Sequence, residues 1–431
     1  RGEIALRIIR TCREIGLKTV VVYSTADRDS LAVRFADEAV CIGPPPSGQS
    51  YLRMDRIIAA AEVTGAAAIH PGYGFLSENA DFAGIVKDNG LIWIGPKADT
   101  IRKMGDKSVA KDTMRAAGVP VVPGSEGVVE TVDEAKRVAA EIGYPVMIKA
   151  SAGGGGRGMR MVREEKELET QYRTASNEAQ SAFGNGAVYI EKFVEEPRHI
   201  EIQLMGDGQG GVIHLGEREC SIQRRHQKLV EEAPSVVLDD AKRAESGEIA
   251  LRAGRAVDYE GAGTVEFLWS GGEIFFLEMN TRLQVEHPIT EMITGVDLVE
   301  QQLRVAAGEV LPIRQEDLSI HGHAIEVRIN AENPFYCFLP SIGTLSNLRH
   351  PGGPWVRMDS AMYNGLEVGL EYDPMLAKLI VWGPDRDRAI QRMIRAIGET
   401  NVGGVHTALP AALQVLRHEQ FAGGDIDTHF L

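Results

Sequence analysis

Ten residues constrain this chain more than any others: Glu278 to His287, E-M-N-T-R-L-Q-V-E-H. Read as extended backbone, the run alternates faces with period two. Glu278, Asn280, Arg282, Gln284 and Glu286 then share one face, and Met279, Thr281, Leu283 and Val285 take the other. Upstream, Thr264 to Trp269 and Ile274 to Glu278 read as two strands separated by Ser270-Gly271-Gly272-Glu273, a hairpin signal. A three-residue loop (Gly271 to Glu273) sets Glu266 opposite Glu278, whereas a two-residue Gly-Gly loop sets them on opposite faces; the sequence leaves both open. Facing carboxylates repel unless a cation lies between them. With the amide oxygen of Asn280, Glu266 and Glu278 make an all-oxygen set. Such a set suits Mg²⁺, which takes one or two carboxylates and completes its octahedron with waters and nucleotide phosphates. The Leu, Ile, Phe and Trp flanks argue for burial, and buried charges need partners.

The rest of the composition narrows the class. At 431 residues and 44% hydrophobic, the chain can bury large cores and is expected to form two to four domains. A net charge of −15 argues against a nucleic-acid surface. Cys12, Cys41, Cys220 and Cys337 are scattered with no C-x-x-C pair, the pattern of reduced thiols rather than of a disulfide frame or a zinc site. No apolar run is long enough to span a bilayer and no signal peptide or solenoid repeat is found, so the chain reads as a cytoplasmic protein without a membrane partner.

Residues 1–10 already have helical spacing, and Lys18 to Tyr23 is a buried-strand run. Because a parallel sheet needs a strand before that helix, a native first strand is expected to be missing from this numbering. A helix near Tyr51 to Thr64, a strand near Ala67 to His70, a helix near Asn79 to Asn89 and a strand near Leu91 to Gly95 continue the alternation, which predicts an open α/β sheet. The loop His70 to Glu78 follows a strand, where such sheets place ligands. Further on, helices are predicted over Asp106 to Ala117, with Lys107 near its start, and over Thr131 to Ile142. The strand Tyr144 to Lys149 then runs into Ala150-Ser151-Ala152-Gly153-Gly154-Gly155-Gly156-Arg157-Gly158-Met159.

That glycine run lacks the G-x-x-x-x-G-K-[ST] order of a P-loop, and Met159 to Val162 looks like a strand rather than a helix. A loop between two strands binds phosphate through its own N–H groups, with Lys149 supplying charge, as a flexible flap. Ala152 within it requires a negative φ. Val188 to Val194 reads as a strand, His199 to Leu204 as a half-buried strand, and Ser221 to Lys228 as a basic stretch. Gly295 to Gly308 reads as an amphipathic helix. His323 to Asn330 alternates, with Glu326, Arg328 and Asn330 on one face, while residues 343–373 look loop-heavy. A strand (Leu376 to Val381) and helices over Arg386 to Ile397 and His406 to Leu416 close the chain.

Taken together, RGEIALR, HPGYGFLSEN, MGDK (104–107), KASAGGGGRGM, EKFVEEPRHIEIQ, ECSIQRRHQK, EMNTRLQVEHPITEMITG and RINAEN closely resemble biotin carboxylase, the ATP-grasp subunit or domain of acetyl-CoA carboxylase and related biotin-dependent carboxylases. The resemblance spans essentially the whole chain in order. It implies an α/β and α+β multidomain fold: an N-terminal open parallel α/β domain (1–104), an ATP-grasp domain (105–318) with a glycine-flap lid over about 122–195, and a C-terminal mixed α+β domain (319–431). The segment Glu332 to Phe338 is longer and more aromatic than is usual after the arginine of RINAEN.

The resemblance also implies roles. ATP lies between two antiparallel sheets, held by Lys107, Lys149, the flap (Gly154, Gly155, Gly156, Met159) and His199, with Gln223 and His226 also on the nucleotide side. Glu191, Lys192 and Val194 line the adenine pocket, and Glu266, Glu278 and Asn280 hold Mg²⁺ or Mn²⁺. Arg282, with backbone from Gln284 and Val285, grips bicarbonate, and Glu286 is its general base. Lys228 and Gln223 sit at the bicarbonate end, and Arg328 stabilises the biotin enolate. The implied partners are a biotin carboxyl carrier protein or domain, a carboxyltransferase and a second copy of the chain. The alternatives are the corresponding part of a propionyl-CoA or pyruvate carboxylase, another ATP-grasp ligase, or a non-catalytic nucleotide-binding module. The last predicts loss of Glu278, Asn280, Glu286 or Lys228, and all four are present.

Overall fold

The computed structural model describes residues 1–150, 159–183 and 186–431. It resolves into two compact units: Arg1–Val119, Arg198–Phe267 and Glu278–Leu431 form the first, and Pro120–Pro197 with Leu268–Leu277 the second.

The first unit opens with helix Gly2–Glu14, which buries Ile4, Leu6, Ile9 and Cys12 along one face. Two parallel strand pairs follow, β1 (Val20–Ser24) with β2 (Glu38–Gly43) and β3 (Ala68–Ile69) with β4 (Ile92–Trp93), which is the expected parallel α/β pattern. Two of its helices start where short polar side chains take orphan amides. Asn79 accepts from Phe82 N ahead of Ala80–Asp88, and Asp106 accepts from Ser108 N and Val109 N ahead of Lys107–Ala116.

The second unit contains the antiparallel sheet β6-β5-β7, made of β5 (Val146–Ala150), β6 (Met159–Val162) and β7 (Val188–Lys192). Its own core gathers Val146, Ile148, Val162, Leu168, Val188 and Ile190 under helices Val132–Ile142 and Glu165–Phe183. Ala152, Gly154, Gly155 and Gly156 lie outside the described residues.

An eight-stranded sheet then dominates the chain. Its order is β12 (Glu273–Asn280), β11 (Glu260–Ser270), β8 (Arg198–Asp207), β9 (Val212–Arg224), β10 (Gln227–Ala233), β13 (His323–Asn330), Met375–Gly383 and Val356–Ser360. The far ends of β11 and β12 belong to the second unit. β10 pairs antiparallel with β13, with Glu231 directly opposite Glu326, so strands from beyond residue 320 continue the ladder that contains β8. The hairpin loop is the two-residue Gly271-Gly272, both in the left-handed region (φ 59° and 86°). Strict alternation from it would put Glu266 and Glu278 on opposite faces, yet the Glu266 charge still acts on the Glu278 carboxyl. Residues 343–373 carry four short strands rather than loop alone.

Two readings are corrected. β8 is buried along its whole length rather than half-buried, because it lies between β11 and β9 inside the sheet and its polar residues Glu201 and Gln203 face buried partners. The extended reading of residues 278–286 holds only to Asn280. The chain then leaves the strand and turns at Val285-Glu286 into helix His287–Thr294, whose first turn Pro288 presets.

One buried ion cluster ties β10 to the end of the chain. Glu232 accepts from Arg386 Nε at 2.7 Å and Nη2 at 3.1 Å, and lies 2.7 Å from His323 Nε2. Burial alone would raise this carboxyl, but His323 and Arg386 outweigh it and hold it at about 2. A depressed folded value means the stabilisation is complete above the unfolded value near 4.5 and is lost as pH falls toward 2. Glu232→Gln should therefore destabilise the protein by about 3 kcal/mol at neutral pH. In thermal melts run across pH, the gap between variant and parent should narrow below about 4.5.

Candidate active site

Neighbouring strands of the large sheet deliver a set of buried charges. Arg218, on β9, has no exposed surface, yet every one of its N–H groups is used. Nε donates to Glu201 Oε1, Nη1 to Gln203 Oε1 (2.6 Å) and Thr290 Oγ1 (2.9 Å), and Nη2 to Thr264 Oγ1 (3.0 Å) and Gln284 Oε1 (2.9 Å). Lys228, at the head of β10, places its ammonium against three carboxylates: Glu201 Oε2 (2.5 Å), Glu266 Oε1 (3.0 Å) and Glu286 Oε1 (2.6 Å). Gln284 Nε2 donates to Glu266 Oε1 at 2.8 Å, and His199 Nε2 lies 2.9 Å from Glu266 Oε2.

Glu286 sits where the turn after β12 enters its helix and is 2% exposed. Arg328, on β13, donates from Nη2 to Glu286 Oε2 (3.0 Å) and from Nε to Glu231 Oε1 (2.6 Å). Burial would raise the Glu286 carboxyl, but Lys228, Arg328 and Arg218 together hold it well below the usual carboxylate range. Arg282 is anchored the other way, through Nε to Glu78 Oε2 (2.8 Å) and Nη2 to Asn280 Oδ1 (3.0 Å). Beside these groups opens a cavity of about 390 Å³ lined by Tyr73, Lys228, Arg282, Val285, Arg328 and Tyr372, among others.

The oxygen donors fit a hard divalent cation. The Glu278 carboxyl is pushed up by burial and by the neighbouring Glu266 charge, with Lys107 at the head of its helix partly offsetting this. A cation bound at Glu278 would offset the repulsion it feels from Glu266. Glu266 itself is held well below its ordinary value against burial, by Lys228 and His199. Gln223 pairs with Lys228 across the β9–β10 ladder. The intervening turn holds Arg225 and His226 at φ 50° and 66°, so His226 is presented at a hairpin tip.

Within the second unit, Lys149 Nζ donates to Glu191 Oε2 at 2.5 Å, and Met159 faces Lys149 across the β5–β6 ladder. Lys192 Nζ caps the carbonyls of Gly143 (3.0 Å) and Tyr144 (2.9 Å), and Val194 follows just beyond β7.

Comparison with known proteins gives this arrangement a lineage. Residues 1–101 match the family "Biotin carboxylase, N-terminal domain", 106–314 "Carbamoyl-phosphate synthase L chain, ATP binding domain" and 326–431 "Biotin carboxylase C-terminal domain". A biotin carboxylase of Nostoc is 55% identical over 432 residues, covering 100% of this chain and 97% of the relative. The chain belongs to the biotin carboxylase family. Biotin carboxylase 1 of Bacillus subtilis is 54% identical, with 100% of this chain and 96% of that protein covered. A pyruvate carboxylase component of Methanothermobacter thermautotrophicus is 56% identical, with 100% of this chain and 88% of that protein covered. Among solved structures, the biotin carboxylase domain dimer of Hydrogenobacter thermophilus 2-oxoglutarate carboxylase, in complex with MgADP, ADP and bicarbonate, is 49% identical. Its TM-score is 0.88, with 100% of this chain and 95% of that one covered.

Several residues that shape this family member's site were not singled out from sequence. Arg218, Glu201, Glu231 and Glu78 hold Lys228, Arg328 and Arg282 in place from neighbouring strands and a loop. The available signal was charge inside strand-like runs, Glu201 between the isoleucines of HIEIQ and the consecutive Glu217-Arg218-Glu219 of GERECSIQ, which a buried strand must pair. Cys220 lies close to Glu201 and Glu286, and burial with the Glu201 charge pushes its thiol well up, so it is no nucleophile.

Arg218→Lys should be far from conservative, since an ammonium has three N–H groups for the five acceptors and at least two of these buried groups lose their donor. A destabilisation of about 3 kcal/mol or more is expected, read as a lower melting temperature and reduced soluble yield.

Proposed function

We propose that this chain carboxylates biotin, borne on a carrier protein or domain, with bicarbonate and ATP by way of carboxyphosphate. The observation that carries the reading is the buried Glu286 carboxylate, clasped by Lys228 and Arg328, both of which line the cavity. Glu286 is the base that takes the bicarbonate proton. Clasped by two cations it is a weak base. When an anion enters and competes for those cations, the hold on the carboxylate loosens and its proton affinity rises toward the working range. Arg282, with the backbone of Gln284 and Val285, holds the bicarbonate. Arg328 offsets the charge that develops on the biotin ureido oxygen after phosphate, released as carboxyphosphate collapses to CO2, deprotonates the ureido nitrogen.

Lys107, Lys149 and His199 hold the phosphates and nucleotide, with Gln223 and His226 also on the nucleotide side, Lys228 and Gln223 sit at the bicarbonate end, and Glu191, Lys192 and Val194 line the adenine pocket. Gly154, Gly155, Gly156 and Met159 belong to the nucleotide flap. Glu266, Glu278 and Asn280 hold Mg²⁺ or Mn²⁺, which when bound screens the phosphate oxygens. The proposed domain bounds are 1–104, 105–318 with a lid over about 122–195, and 319–431. A carboxyltransferase and a second copy of the chain are the expected partners, the latter in keeping with the dimer of the Hydrogenobacter domain. No helix among the described residues is long and apolar enough to cross a membrane.

With Mg²⁺ and free biotin, ADP release should depend on both bicarbonate and biotin. Glu286→Gln should lower that turnover by about 10²- to 10⁴-fold while leaving ATP binding intact. Turnover that survives the change would remove Glu286 from the role of base, and ADP release indifferent to biotin would point to another ATP-grasp ligase.

A further inference from the structure

The turn that carries Val285 and Glu286 holds its two peptides in an unusual way. The Gln284 carbonyl lies 2.8 Å from His287 Nδ1, and the Val285 carbonyl accepts from Lys378 Nζ at 2.7 Å. Both partners have no exposed surface, and neither lines the cavity. In a trans peptide the N–H points opposite to the C=O. Fixing these two carbonyls from behind therefore turns the N–H groups of Val285 and Glu286 away from Lys378 and His287, on the chain segment where Val285 lines the cavity. Among the described residues neither N–H donates to any protein group. Two successive free amides of this kind form a concave anion cradle.

Lys378 is placed for this by the sheet. It lies on Met375–Gly383, directly across the ladder from Arg328. Its hydrogen bond goes to a neutral carbonyl. The nearest carboxylate, Asp359 at 3.9 Å, is already engaged by Arg357 through both oxygens. Glu326 and Glu3 also act on Lys378, and burial pushes both of these carboxyls up, which favours their neutral forms.

We infer that Lys378 is a positioning residue for the anion subsite, holding the Val285 carbonyl so that the Glu286 N–H joins the Val285 N–H in gripping bicarbonate. The inference rests on the carboxylation reading above and adds a residue that never touches the substrate. Its test compares Lys378→Met and Lys378→Arg with the parent enzyme in the Mg²⁺, ATP and free-biotin assay, varying bicarbonate and ATP separately. Lys378→Met should raise the KM for bicarbonate about tenfold or more while the KM for ATP stays within about twofold. Lys378→Arg, which keeps the charge but shifts the donor, should fall between it and the parent.

Equal rises in both KM values, or a bicarbonate KM unchanged in a folded variant, would overturn the inference. If Lys378→Met does not fold, the same split is read from Lys378→Arg. Failure of both to fold would assign Lys378 to the architecture alone and likewise overturn it. A parent enzyme lacking bicarbonate- and biotin-dependent turnover would instead sink the carboxylation reading, which keeps the two failures apart.

Discussion

The contact on which the rest of this site depends is the ammonium of Lys228 among Glu201, Glu266 and Glu286. Three carboxylates brought this close in a buried place repel one another strongly, and desolvation opposes each charge. A single compact cation at their centre makes the cluster tenable, and Arg218 and Arg328 complete the balance from either side. Glu201 and Glu286 are each held by a second cation as well, Arg218 and Arg328 respectively.

The sheet is the reason these groups meet. Glu201, Arg218, Lys228, Glu266 and Arg328 come from five strands that are consecutive neighbours in space, although they are spread over more than a hundred positions in sequence. Helix-borne side chains would rotate away from one another every residue, whereas a ladder keeps alternate residues of adjacent strands facing across about 5 Å. Outer supports reach the same floor from elsewhere. Glu78 steadies Arg282 from the N-terminal region, and Lys378 steadies Val285 from the C-terminal one.

Much of this was legible in the residues. The alternation of β13 and the capped helices after Asn79 and Asp106 carry local signals strong enough to survive packing. The Glu278–Glu286 run exposed its chemistry but not its path, because period-two spacing is equally compatible with a strand that stops at Asn280 and a turn that keeps Glu286 on the same side. The length of the glycine turn was ambiguous for a related reason: one residue more or less moves every later side chain to the other face. What stayed hidden was the supporting layer. Arg218, Glu231 and Lys378 look like ordinary strand residues, and only the strand order reveals that each is sealed inside with its counterpart.

The continuity of the eight-stranded sheet has a consequence for how such chains are inherited. The strand His323–Asn330 is hydrogen-bonded to Gln227–Ala233 on one side and to Met375–Gly383 on the other, and the C-terminal family match begins at residue 326, inside that strand. A segment recognisable as a separate module by descent is thus stitched into its neighbour by backbone hydrogen bonds. Cutting there would leave two raw strand edges open to pairing with other chains. In this protein the unit that evolution copies and the unit that folds have different borders, and fragments or fusions laid out by homology alone would divide a single ladder.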